Sequence, residues 1–365
     1  MSGVAPEPIP VTLVSGFLGA GKSALIRHWL DHKPQRERWA VLVNDSDGAG
    51  VAARGAGSGA GAPAEPAADS VSIFELAGGC ACCAALPALR ARLPQVLRSS
   101  PWQRLIIELS GTGHPAPLID LLRAAPFDQR LIIEQVVAVV DAGRAGPYLS
   151  FAAGDAEFSG AGSPSSILGA ELARAQIESA ELVVINHTER ADAGQLRRLA
   201  EALAHAPPFG REVSLCHTGR QDWPAMPAAG RIGGPPQGPP QGPAGPPGRA
   251  LPRDGWMEQR ARPAALEAVW RWPAAVRFDR RKLRAALQQL ATLPELSGAD
   301  AACGTERAWY RWHHSDRIET WEASAYRSEN RLLATFLVPG LDHAPVLERI
   351  LAWQAQLLAA LAGPD

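Results

Sequence analysis

The segment Gly16-Phe17-Leu18-Gly19-Ala20-Gly21-Lys22-Ser23 constrains this chain more than any other, because it fits the spacing G-x-x-x-x-G-K-[ST] of a phosphate-binding P-loop. Val11-Thr12-Leu13-Val14 reads as a buried strand running into the loop, and Ser23–Leu30 as the helix leaving it. Glycine lets the backbone wrap a polyphosphate closely with its N–H groups turned inward. A helix N-terminus adds partial positive charge. Gly16, Gly19, Ala20 and Gly21 with the following Ala24 are therefore the expected cradle, Lys22 the reach to the β/γ-phosphates, and the Ser23 hydroxyl a ligand for Mg²⁺.

The chain has 365 residues, long enough for two domains with separate cores. A net charge of −1 points to neither a nucleic-acid nor a membrane-surface partner. No apolar run reaches the roughly eighteen residues of a membrane span. Met1–Pro10 lacks the charged and apolar regions of a signal peptide, so a cytoplasmic location is expected. In that compartment five cysteines argue against a disulfide framework.

Apolar runs alternate with helical patterns through the first part of the chain. Further strands are expected at Ala40–Val43, Val71–Leu76, Leu105–Glu108, Val136–Val140, Leu182–Ile185 and Val213–Leu215. Helices are expected at Leu86–Leu97, Pro117–Ala124, Ser166–Ala180 and Ala193–His205. This order predicts an α/β fold, a P-loop NTPase domain with a mostly parallel sheet, over residues 1–222. Ligands of such sheets bind beyond the carboxyl ends of the strands. The P-loop, Asn44-Asp45, the cysteines Cys80, Cys82 and Cys83, Ser110-Gly111 and Asn186 all follow strands and should gather on one edge. Gly48–Ala68 reads as a flexible loop. Residues 223–255 read as a Pro/Gly-rich linker, and 256–365 as a smaller α+β domain with helices at Phe278–Leu290 and Leu347–Leu361. Its many tryptophans read as core packing. Ala308–Trp312 and Ile318–Ala325 read as a hairpin whose turn includes His314, with the His313-His314 doublet solvated.

Cys80-Ala81-Cys82-Cys83 places three thiols between a strand and a helix. A helix N-terminus favours thiolate, and thiolates select Zn²⁺ or Cu(I). Three ligands leave one tetrahedral position open, which suits transfer better than a closed structural site.

With these residues in hand the chain resembles the CobW-type GTPases, relatives of the urease and hydrogenase nickel-insertion GTPases. The resemblance runs through Ser15–Ser23, Val41–Asn44, Gly79–Cys83, Ile106–Gly111, Val139–Ala142, Gln176–Glu178 and Ile185-Asn186. Thr112-Gly113-His114-Pro115 is similar to a branch described as zinc-binding, and Ala325–Leu332 resembles the end of the family's C-terminal domain. The resemblance implies GTP hydrolysis coupled to metal binding, and delivery of a metal to a client protein.

Carried over by position, Lys22 and Ser23 hold phosphate and Mg²⁺, Glu108 is the acid on the magnesium-facing strand, and Gly111 is the hinge whose amide senses the γ-phosphate. Asp141 either touches the nucleotide or caps the following turn. His114 is either a fourth metal ligand or a turn histidine. Base recognition would fall to Asn186-His187-Thr188-Glu189, where the family has Asn-Lys-x-Asp. His187 can stack on a purine, while Glu189 is one methylene longer than the aspartate it replaces. Asn44-Asp45-Ser46-Asp47-Gly48 departs from the family's Asn-Glu-Phe-Gly-Glu, and the linker has no histidine tract. The expectation is a GTP-hydrolysing zinc metallochaperone, using GTP, Mg²⁺ and Zn²⁺. Its partners would be GTP/GDP, a client metalloprotein and a second copy of the chain in a homodimer. Zinc would sit on Cys80, Cys82 and Cys83. A nucleotide-dependent regulatory protein with negligible hydrolysis and a P-loop ATPase are the alternatives.

Overall fold

The computed structural model describes residues 7–43, 71–75, 85–146, 148, 164–206, 211–220, 249–262, 264–315, 318–338 and 342–362. The expected loop at 48–68, the three clustered cysteines and the Pro/Gly stretch at 233–248 lie outside them. The chain divides into two compact units, Met1–Arg231 and Ile232–Asp365.

The first unit runs β1 (Ile9–Gly16), α1 (Lys22–Asp31), β2 (Trp39–Val43), β3 (Val71–Glu75), α2 (Ala85–Ser99), β4 (Arg104–Glu108), α3 (Pro115–Leu122) and β5 (Leu131–Asp141). It continues through α4 (Pro164–Glu178), β6 (Leu182–Asn186), α5 (Ala193–His205) and β7 (Glu212–Leu215). The sheet order is β3-β2-β4-β1-β5-β6-β7, and every pairing among these strands is parallel. Every residue of β2 and of β6 is buried. That is what a continuous apolar run means when helices cover both faces of a sheet. This is the α/β P-loop fold that the alternation predicts. A core of Val14, Leu25, Ile26, Trp29, Trp39, Val41, Ile106, Val137 and Val139 lies against α1. Among the described residues no helix is long and apolar enough to cross a membrane.

Several element ends shift from the reading of the sequence, and those of β5 and α3 have a clear physical reason. Strand β5 begins at Leu131, five residues before the expected Val136. The polar Glu134-Gln135 pair hides this extension, because Glu134 is ion-paired with Arg104 of β4 and Gln135 is buried. Helix α3 begins at Pro115 and ends at Leu122, where Pro117–Ala124 is expected. Proline suits a first helical turn, since the N–H it lacks has no partner there anyway.

The second unit is an antiparallel sheet with two helices. Its elements are β8 (Arg249–Leu251), β9 (Gly255–Arg262), β10 (Ala265–Pro273), α6 (Arg280–Leu290), β11 (Leu296–Gly304), β12 (Trp309–Ser315), β13 (Ile318–Ala323), β14 (Glu329–Leu337) and α7 (Ala344–Ala359). The strand order is β13-β12-β11-β14-β10-β9-β8. Alternate residues of β10, Leu266, Ala268, Trp270 and Trp272, are buried and join a core with Leu283, Leu287, Ile350 and Trp353 from the two helices. Trp309 and Trp312 are buried as well, so the tryptophans serve packing. The histidine doublet is not in a turn. His313 and His314 lie within β12, opposite Thr320 and Glu319 of β13. The His314 ring stacks on Trp312, with centroids 5.9 Å apart and planes 11° apart, and His313 Nδ1 lies 3.0 Å from Asp300 Oδ1. Both are half-buried rather than solvated.

Candidate functional site

Because β1, β4, β5 and β6 are neighbours and parallel, their carboxyl ends share one edge. That edge carries Gly16–Ser23, Glu108–Gly111, Asp141 and Asn186. Gly16 leaves β1 at φ 137°, and a Cβ there would lie 2.2 Å from the Val139 carbonyl oxygen of β5. Gly19 and Gly21 also hold left-handed angles, φ 76° and 98°. Side chains rarely adopt these angles, so the loop's shape requires glycine at these positions. The Ala20 N–H donates to Phe17 O at 3.1 Å and closes the turn.

Lys22 is buried at the start of α1, and its Nζ donates to Gly16 O at 2.9 Å and to Phe17 O at 3.2 Å. The ammonium therefore lies along the loop that has to hold phosphate. From the next residue, Ser23 Oγ donates to Glu108 Oε1 at 2.6 Å. A hydroxyl and a buried carboxylate placed together at the foot of such a loop form a hard-oxygen donor set, which fits Mg²⁺.

A second layer ties the loop down. Asn186, fully buried at the end of β6, donates from Nδ2 to Ala20 O at 2.9 Å, and its Oδ1 accepts from the Gly219 N–H at 2.8 Å. Gly219 sits so close to Ala24 that a Cβ on it would lie 2.8 Å from the alanine's own. Gly21 must be glycine for the same kind of reason, because a Cβ would lie 2.1 Å from Asn186 Nδ2. His187 has φ 57°, and its Nε2 is 3.5 Å from that same Cβ position, so the ring borders the loop.

Glu189 does not present an open carboxylate. Its Oε1 lies 3.4 Å from His187 Nδ1 and 3.8 Å from Arg190 Nε, and its Oε2 lies 3.3 Å from His217 Nδ1. Hydrogen bonding to its own backbone N–H is the main cause holding its carboxyl below the usual carboxylate range. Burial opposes this, while His187 and His217 reinforce it. Asp141 caps the turn at Ala142–Arg144 by accepting from the Gly143 N–H at 2.9 Å, and its Oδ2 accepts from Arg190 at 3.0 Å. Of its two sequence readings, the structure supports the cap.

Gly111 follows β4 and presses on the P-loop, where a Cβ would lie 2.5 Å from Leu18 N. His114 is the N-cap residue of α3, without a side-chain capping bond. Among the described residues no group of three or more His, Cys, Asp and Glu is placed to hold a metal ion. Cys80, Cys82, Cys83, Asn44 and Asp45 lie outside those residues.

Reading the sequence does not find His217, Gly219 or Arg190. They reach the site from the loop after β7 and the turn after β6, and no local pattern marks them. It does not find Tyr148 either. The Phe17 ring packs edge-on against this buried tyrosine with centroids 5.8 Å apart. Burial first, and the Asp141 charge second, push the tyrosine's phenol above its ordinary pKa.

The model of the CobW/HypB/UreG nucleotide-binding domain matches residues 10–210. The zinc chaperone YeiR of Escherichia coli is 35% identical over 130 residues, which cover 35% of this chain and 36% of that protein. The zinc chaperone CobW of Pseudomonas aeruginosa is 31% identical over 227 residues, 60% of this chain and 59% of that protein. The chain thus spans less than two thirds of either relative. The crystal structure of the Zn(II)-bound YjiA GTPase from E. coli aligns over 96% of this chain and 99% of its own, at 16% identity and a TM-score of 0.42. The family match covers more than half of the 365 residues and takes in the whole P-loop edge. The chain belongs to the CobW/HypB/UreG family of nucleotide-binding domains.

Proposed function

We propose that this protein binds Mg·GTP at Gly16–Ser23, hydrolyses it slowly, and couples its nucleotide state to a zinc ion carried as cargo on Cys80, Cys82 and Cys83. It would hand that ion to a client metalloprotein in the cytoplasm, alone or as a homodimer. The placement of Ser23 and Glu108 beneath Lys22 carries the nucleotide half of this reading. The donor set of three thiols carries the metal half, and the zinc-chaperone relatives agree with it. When bound, Mg²⁺ supplies charge neutralisation between the β- and γ-phosphates. Ser23 and Glu108 hold it, Lys22 meets the phosphates, and Gly111 reports on the γ-phosphate.

Slow hydrolysis follows from Asn44–Ala52, whose acidic positions are thinned near Gly48 and Ala52 and which runs into a Gly/Ala stretch. In-line attack needs a positioned water, and fixing each backbone residue costs about 1–2 kcal/mol. Single-turnover assays on pure monomer should give a rate below about 1 s⁻¹, the lower end for enzymes. A faster rate without metal or partner would show that the loop is already competent. In the same preparation the triple variant Cys80→Ser, Cys82→Ser, Cys83→Ser should keep its fold and lose a zinc ion that wild type binds one per chain. Undiminished zinc affinity in that variant would remove the cysteines from the proposal.

Base preference gives a second test. A carboxylate that accepts two hydrogen bonds from guanine rejects adenine, because the wrong base leaves polar groups unpaired. Glu189 is already engaged with His187, Arg190 and His217, so it must give up these contacts to read a base. GTP should be preferred over ATP by only a small margin, and Glu189→Asp should widen it in competition binding. A narrower margin in Glu189→Asp would mean that another group reads the base.

A further inference from the structure

Helix α4 sends one polar side chain into the core beside the P-loop edge. Gln176 is 1% exposed, and α4 packs against β1 and α3. Its Nε2 donates to Gly111 O at 3.4 Å and to Gly113 O at 3.3 Å. Both bonds are long, as expected when one amide serves two carbonyls. The amide's own Oε1 is buried without a hydrogen-bond partner, and so is Ser110 Oγ at the head of the same turn. Buried polar atoms are nearly always satisfied. Gln176 Oε1 and Ser110 Oγ thus leave hydrogen-bonding capacity unused around this four-residue turn.

The turn is held from both sides. Gly113 N–H donates to Ser110 O at 2.9 Å and closes it. On one flank Gly111 touches Leu18 of the P-loop so closely that no side chain would fit. On the other flank Gln176 bonds two of its carbonyls. The backbone that faces the phosphate loop is thus positioned by a residue 65 positions later in the chain.

We propose that Gln176 is a positioning residue. It holds the Ser110–Gly113 turn against the P-loop, and so sets how strongly the site distinguishes a nucleoside triphosphate from a diphosphate. This inference rests on the nucleotide-switch reading above. The amide can donate to Gly111 and Gly113 in the arrangement seen, and its Oε1 is free to accept an N–H from the turn when a third phosphate draws the turn inward. A GDP-bound site has no group at that position and gains nothing from the amide. The effect therefore falls on the triphosphate alone.

Calorimetry with GDP and with a non-hydrolysable GTP analogue, on wild type, Gln176→Met and Gln176→Glu, tests this. Methionine fills the space without donating, and glutamate places a carboxylate against two carbonyls. In both variants GDP affinity should stay within about twofold, while analogue affinity falls by up to about tenfold, the loss of the one hydrogen bond that Oε1 accepts only with the triphosphate. An unchanged ratio of the two affinities in either folded variant overturns the proposal, since a merely structural glutamine would shift stability and leave the ratio alone. If wild type binds neither nucleotide, the nucleotide reading itself fails, which is a different result. Should neither variant fold, hydrogen exchange on wild type decides. The analogue, and not GDP, should slow exchange in the segments around Ser110–Gly113 and around Gln176 together, and slowing confined to the first overturns the proposal.

Discussion

Lys22→Ala should lower GTP affinity tenfold to a hundredfold. A charge-assisted hydrogen bond contributes about 1.5–3 kcal/mol, and each 1.4 kcal/mol is about tenfold in affinity. The ammonium lies along the loop that would face the phosphates, held there by Gly16 O and Phe17 O. The variant should fold, for two reasons. Alanine is the best helix former, and a cation in the first turn of α1 opposes the helix dipole, so its removal costs the helix nothing. Calorimetry with Mg·GTP measures the loss, and unchanged affinity would sink the assignment of this loop.

Trp270→Ala should destabilise the second unit by about 3–5 kcal/mol, the usual cost of emptying a tryptophan-sized space in a core. Trp270 is fully buried, meets Trp353 edge-on with centroids 5.3 Å apart, and donates from Nε1 to Gln354 Oε1 at 2.8 Å. Its removal leaves a cavity and also strands a buried amide oxygen, which costs about 1–3 kcal/mol by itself. Set against a typical stability of about 5–15 kcal/mol, the change should be plain in a urea titration. Trp270→Phe keeps a six-membered ring and loses the pyrrole portion with its N–H, so it leaves a smaller cavity and should fall short of the alanine variant. If both variants unfold within about 1 kcal/mol of wild type, the cluster around Trp270 is not what holds these strands to their helices.

Local features were the legible ones. The parallel sheet is visible because most of its strands contain an apolar run bounded by turn residues, and the P-loop because its glycines have a fixed spacing. The first half of β5 is hidden, since Glu134 looks like a boundary until Arg104 of β4 is seen to reach across β1 and pair with it. His313 and His314 suggest a turn for a similar reason, as nothing local reveals that Trp312 and Asp300 would shelter them. Asp141 stays ambiguous in the sequence because its partner Arg190 is 49 residues away. For Glu189 the sequence shows the length of the side chain, and only the approach of the loop after β7 shows that His217 engages it.

The two hydrogen bonds of Asn186 bear on when the phosphate loop acquires its shape. They join the loop, the end of β6 and the turn at Gly219 through contacts made by the protein alone. The entropy lost in ordering that loop, about 1–2 kcal/mol per residue of backbone, then belongs to folding and not to binding. Affinity at such a preorganised site depends on the stability of residues the ligand never touches. A substitution that loosens the turn at Gly219 would therefore weaken nucleotide binding from a distance, by returning the ordering cost to the binding step.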